Sequence, residues 1–121
     1  MSDKTVLIVD DNEINIKLLE KVLENKYNIV SVRDGKLAVE KAREIKPSLI
    51  IMDVAMPKMD GITATKLLKS DSATKSISII LITAHSLTID KEKIEDSGCN
   101  DFITRPIKMN ELIEVVEKNL K

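Results

Sequence analysis

The sequence predicts an α/β fold, a doubly wound parallel sheet of five strands alternating with five helices. Short continuous apolar runs recur along the chain, as strands buried on both faces require. Between them, apolar residues return at helical spacing. The runs also stop in a telling way: Val6-Leu7-Ile8-Val9 ends in Asp10-Asp11, and Leu49-Ile50-Ile51-Met52 ends in Asp53. In a doubly wound sheet the carboxyl ends of the strands border the ligand crevice.

Each element has its own signal. After the first strand, Asn12 is placed to cap a helix whose apolar stripe reads Ile14, Leu18, Leu19, Val22 and Leu23. Residues 28–32 form a weaker second strand. Asp34-Gly35 opens a helix with Ala38, Ala42 and Ile45 inward, stopped by Lys46-Pro47. The third strand runs into Asp53. After the loop 56–61 comes a helix with Ala64, Leu67 and Leu68 inward. Residues 77–83 form a β-branched, central fourth strand. A fourth helix over 89–97 ends with Gly98 just past its last turn, residues 100–104 make the fifth strand, and a last helix runs from 110.

Two helices differ from the others. The fourth carries only Leu87, Ile89 and Ile94 among Asp90, Lys91, Glu92, Lys93, Glu95 and Asp96, which predicts low local stability. The last has Leu112, Ile113, Val115, Val116 and Leu120, too wide for one buried stripe. Either neighbouring loops bury the excess or part of the face meets a partner.

Composition narrows the function. A chain of 121 residues is expected to be one domain, 1–121, with one core. Aromatics are 2%, which leaves aliphatic side chains to fill the core and no stacking platform for nucleic acid. A net charge of −1 makes no electrostatic case for DNA, RNA or an anionic membrane. No apolar stretch approaches the roughly 20 residues of a membrane span. Cys99 is alone, so neither a disulfide framework nor a cysteine metal site is expected, and the expected location is cytoplasmic.

The strand ends carry the chemistry. Asp10, Asp11 and Asp53 converging on one pocket would repel each other unless one keeps its proton or a cation sits among them. Oxygen ligands suit Mg²⁺ or Mn²⁺. Thr83 ends the fourth strand and Arg105-Pro106 follows the fifth. A carboxylate nucleophile, a divalent cation, a hydroxyl and a guanidinium around one point is what phosphoryl transfer needs. Asp53, alone at a central strand end, is the nucleophile candidate, and Asp10 and Asp11 the metal-holding pair. Singly, each has a plainer reading: a turn or cap Asp, an ordinary strand Thr, a solvated Arg. Their convergence on one sheet edge is what makes them a site. The three glycines, Gly35, Gly61 and Gly98, form neither a P-loop nor a dinucleotide fingerprint.

The series Val-Leu-Ile-Val-Asp-Asp-Asn (6–12), Ile-Met-Asp-Val-Ala-Met-Pro (51–57), Met-Asp-Gly (59–61), Ile-Thr-Ala (82–84) and Phe-Ile-Thr-Arg-Pro-Ile (102–107) resembles the receiver domain of two-component response regulators. The resemblance covers essentially the whole chain and implies a flavodoxin-like sheet with the strand order 2-1-3-4-5. It implies that Asp53 accepts a phosphoryl group from a histidine kinase or phosphotransfer protein. Asp11 and Asp53 would ligate Mg²⁺ directly, Asp10 through water, and the carbonyl of Ala55 would complete the shell. Thr83 matches the hydroxyl that moves toward the phosphoryl group, and Phe102 the aromatic that turns inward with it; the plain alternative is a core aromatic in both states. Helix four, strand five and helix five would form the output face toward a downstream protein, an output domain or a phosphorylation-dependent homodimer partner.

One position departs from the pattern: Arg105 stands where the family carries Lys before Pro. Arginine is planar and bidentate where lysine is a compact point charge, and it can still pair with a phosphoryl oxygen. The family's cis peptide at this proline is expected to be kept. Ala55 and His85 occupy places whose side chains influence acyl-phosphate hydrolysis in this family; a solvated imidazole is the plain reading of His85. Two other classes compete with a phosphorylation-controlled switch. One is a constitutive interaction module. The other, an Asp-based phosphatase, lacks a general acid two residues after Asp53, where Ala55 stands. The expected catalysis is confined to the protein's own phosphorylation and dephosphorylation.

Overall fold

The computed structural model describes residues 4–84 and 88–120, with the side chains of all of these except 88–90. The elements run β1 (Thr5–Val9), α1 (Glu13–Leu23), β2 (Asn28–Val32), α2 (Gly35–Ile45), β3 (Leu49–Asp53), α3 (Gly61–Ser70), β4 (Ser78–Thr83), α4 (Thr88–Asp96), β5 (Asp101–Thr104) and α5 (Met109–Asn119). The strands form one sheet in the order β2-β1-β3-β4-β5, every pair parallel. The expected fold and strand order are therefore found.

The apolar runs become the sheet because both of its faces are covered. Val6 to Ile8, Leu49 to Met52 and Ile79 to Leu81 have no exposed surface. Strand pleating sends alternate side chains to opposite faces. Val6, Ile8, Leu49, Ile51, Ile80 and Ile82 meet α1 and α5. Leu7, Val9, Ile50, Met52, Ile79 and Leu81 meet α2, α3 and Ile94 of α4. β2, at the edge, is only half-buried.

Local chemistry sets the helix ends. Asn12 caps α1, its side chain accepting from the amides of Ile14 and Asn15 at 2.9 and 3.3 Å. Asp34 and Asp60 cap α2 and α3 by accepting from Leu37 N–H (2.8 Å) and Thr63 N–H (2.7 Å). α2 stops because Lys46, forced away from the helical region by Pro47, takes φ 45°. Gly98 follows α4 at φ 88°, the left-handed value a helix-terminating glycine adopts without strain.

Several expectations needed correction. The buried stripe of α1 is Ile16, Leu19 and Leu23, whereas Ile14 is 77% and Leu18 47% exposed. A spacing of 3.6 residues fits two overlapping stripes in this leucine-rich helix, and only docking on the sheet chooses between them. Leu67 of α3 is 43% exposed, Ile45 of α2 only half-buried, and Val39 is buried instead. On α5, Leu112, Val116 and Leu120 enter the core, Val115 packs at its margin, and Ile113 does not join it. β4, β5, α4 and α5 differ by a residue from the expected bounds. His85, Leu87 and the side chain of Ile89 lie outside the described residues.

Candidate functional site

The acids meet because the parallel ladder runs past the strand ends in register. Asp10 N–H donates to Val32 O at 3.2 Å, Val54 N–H to Ile82 O at 2.9 Å, and Arg105 N–H to Thr83 O at 2.8 Å. Pleating then sends Asp10, Asp53 and Arg105 toward the α1–α5 side of the same edge. One oxygen each of Asp10, Asp11 and Asp53 lies within 4.8 Å of the others. That spacing and hard-oxygen donor set fit a divalent cation such as Mg²⁺.

The three acids are not equivalent. Asp10 is 1% exposed. Its Oδ1 accepts from Asn12 N–H at 2.9 Å, and its Oδ2 accepts from Asn15 Nδ2 at 3.3 Å and Arg105 Nη2 at 3.2 Å. Asp53 is half-buried, its Oδ1 accepting from Ala55 N–H at 3.2 Å and its Oδ2 lying 3.5 Å from Arg105 Nη2. Asp11 is exposed. Burial first, then the neighbouring Asp10 and Asp11 charges, push the Asp53 carboxyl above its ordinary value, against Arg105 and the Ala55 amide. A cation among the three acids would offset that repulsion.

A glycine fixes the approach behind Asp53. A Cβ at Gly61 would overlap the carbonyl oxygen of Asp53, so the start of α3 seats against β3 only without a side chain. Gly61 N–H also donates to Val54 O at 2.9 Å.

The switch candidates lie on the other face. Thr83, buried at 4%, follows Ile82, which pairs with Asp53. Leu81 pairs with Phe102 and Thr83 with Thr104, so Thr83, Leu81 and Phe102 share the face turned toward α4. Phe102 is half-buried against that core. Ala55 is exposed beside Asp53. The Arg105–Pro106 peptide is cis, as expected. Arg105 and Pro106 also line a groove of about 550 Å³ with Asn15, Leu18, Leu19 and Ile107.

Sequence reasoning missed Asn15 and Gly61. Asn15 reads as an ordinary polar residue of the first helical turn, and only the packing of α1 brings it to Asp10. Gly61 had a signal, a glycine directly after a capping Asp, but its close contact is tertiary.

The carboxyl edge of this doubly wound sheet thus gathers three acids, a buried hydroxyl and a guanidinium, the groups that metal-assisted phosphoryl transfer uses. Residues 6–117 match the family model described as the response regulator receiver domain. The chain is 38% identical over 118 residues to the polar-differentiation response regulator DivK of Brucella anthropi, covering 97% of this chain and 96% of that one. Among solved structures, it resembles the signal receiver domain of a signal transduction histidine kinase from Syntrophus aciditrophicus (TM-score 0.91, 36% identity, 97% of this chain and 89% of that). It likewise resembles the receiver domain of a sensor histidine kinase of Pseudomonas aeruginosa, which holds a magnesium ion in its active-site cleft (TM-score 0.91, 30% identity, 98% of each chain). The chain belongs to the response regulator receiver domains, whose general function is a phosphorylation-controlled switch in two-component systems. Receivers of this kind work with histidine kinases and downstream partners. Among the described residues, no helix is long and apolar enough to cross a membrane.

Proposed function

We propose that residues 1–121 act as one cytoplasmic receiver domain in which Asp53 is the phosphoacceptor. The supporting observation is the convergence of Asp10, Asp11 and Asp53 within 4.8 Å, with Arg105 bridging two of them. Asp53 attacks the phosphorus of a phosphohistidine on a kinase or phosphotransfer protein. A carboxylate O–P bond forms, the P–N bond breaks, and the imidazole nitrogen keeps the electron pair and takes up a proton. Asp10, Asp11 and Asp53, with the Ala55 carbonyl, would hold Mg²⁺ or Mn²⁺, which when bound neutralises charge on the phosphoryl oxygens. Arg105 is long enough to turn from Asp53 to a phosphoryl oxygen, and the Thr83 hydroxyl donates to another.

The consequence is read through α4. Thr83 and Phe102 share the face beneath α4, so a hydroxyl drawn toward Asp53 opens space beside Leu81 for the ring. We assign the α4–β5–α5 face to the downstream protein, output domain or homodimer contact. Of α4's residues 91–96 only Ile94 is buried, which suits an element meant to shift.

The test is intact-mass measurement after incubation with acetyl phosphate and MgCl₂. Wild type gains one phosphoryl adduct and Asp53→Ala gains none. No adduct on wild type, where an Arg105→Lys variant acquires one, would reject the phosphoacceptor reading and leave a constitutive interaction module. Mg²⁺ should also stabilise the fold by about 2.7 kcal/mol at a hundredfold excess over Kd, which a raised melting temperature would record.

A further inference from the structure

Asp10 is held by more than the acidic cluster requires. Its Oδ2 accepts two hydrogen bonds from two different parts of the chain: Arg105 Nη2 at 3.2 Å and the side-chain amide of Asn15 at 3.3 Å. The same Arg105 nitrogen lies 3.5 Å from Asp53 Oδ2, so the guanidinium bridges the two buried or half-buried acids and neutralises charge where a metal would. A guanidinium and a divalent cation repel each other, so a cation among these oxygens loosens the hold of Arg105 on them. When the cation enters, or when Arg105 turns to a phosphoryl oxygen, Asp10 Oδ2 loses its arginine partner. At 1% exposure it has little water to replace it.

We propose that Asn15 is a positioning residue for the metal site, holding Asp10 in place while Arg105 and the cation exchange. The inference rests on the metal-binding reading given above. Asn15 is suited to this by its location. It sits in the first turn of α1, where its own backbone N–H is held by Asn12 and α1 is anchored by Ile16 and Leu19. Its amide therefore approaches Asp10 from a helix that stays put when the loop after β5 moves. Asn12 N–H fixes the other oxygen, Oδ1, at 2.9 Å. With both oxygens held by α1 and its entry, Asp10 keeps one orientation whether or not Arg105 is present. Asn15 also lines the groove shared with Arg105, Pro106 and Ile107, so departure of the guanidinium reshapes a surface of which Asn15 is the fixed wall.

The experiment is calorimetric titration of the full chain with MgCl₂. The variants are Asn15→Ala, Asn15→Leu (similar size, no donor) and Asn15→Gln (donor kept), each also placed on an Arg105→Ala background. Groups that orient metal ligands typically cost tenfold or more in affinity when removed, so Asn15→Ala and Asn15→Leu are expected to weaken Mg²⁺ binding about tenfold. Asn15→Gln is expected to recover most of that loss. On the Arg105→Ala background the loss should be smaller than in wild type, because Asn15 is then the remaining side-chain donor to Asp10 Oδ2 in the metal-free protein too, and its removal weakens both states. An unchanged Mg²⁺ Kd in Asn15→Leu, even with a lowered melting temperature, would make Asn15 merely structural and overturn the proposal. Equal losses on the two backgrounds would overturn the exchange. A wild type that binds no Mg²⁺ would instead overturn the metal site itself.

Discussion

Helices α1 and α4 flank the same sheet but are anchored very differently. α1 sends Ile16, Leu19 and Leu23 into the core and begins with a side-chain cap from Asn12. Across 91–96, α4 sends in only Ile94, and its other residues there are exposed charges. The difference matches the work proposed for each. α1 holds Asp10 through Asn12 and Asn15, where on that reading a shift of even an ångström would misplace a metal ligand. α4 packs through Ile94 against the core that Phe102 joins, where on the same reading movement is how a signal leaves the pocket. On the proposed reading, the chemistry rests on a well-anchored helix and the output lies beside one that, across 91–96, is held by a single buried side chain.

The largest expected effect comes from weakening the strong side. Leu19→Ala removes a 2%-exposed side chain and should cost about 2–5 kcal/mol in denaturant unfolding. Ile94→Ala should act locally, accelerating hydrogen exchange across α4 well beyond that of α1, while the core strands exchange almost as before. If α4 and α1 exchanged alike in wild type, the contrast would be wrong.

Asp53→Asn probes the site itself. Because the Asp53 carboxyl is held above its ordinary value, folding favours its protonated form. That stabilisation is full below the unfolded-state pKa and disappears as pH rises through the higher folded one. Asp53→Asn should therefore stabilise the metal-free protein near neutral pH and flatten this part of its stability–pH curve, as melting temperatures at several pH values would record. The smallest effect is expected at Ile14, 77% exposed although apolar: Ile14→Ala should change stability by less than about 0.5 kcal/mol.

Ile14 also shows where reading the sequence stopped. The apolar residues of α1 fit two stripes, and Ile14 and Leu18 belong to the one facing away from the sheet. Asp10, Asp11 and Asp53 were legible because each ends an apolar run, and a parallel sheet has only one carboxyl edge to collect them. Thr83 and Arg105 were legible as polar residues at strand ends, and Phe102 only through its resemblance to the receiver motifs. Asn15 was not, since nothing in its neighbours distinguishes it from a solvated asparagine.

The sequence by itself determined the alternation of strands and helices, the helix caps at Asn12, Asp34 and Gly98, and the acidic residues at the strand ends. These are local matters, fixed by periodicity, side-chain volume and backbone preference within a few residues. Tertiary structure alone decided which stripe of α1 is buried and how closely Gly61 approaches the Asp53 carbonyl. It also decided that Arg105, 95 positions away in the chain, shares Asp10 with Asn15. Those outcomes depend on how the elements dock, and docking is set by the shape of the whole core.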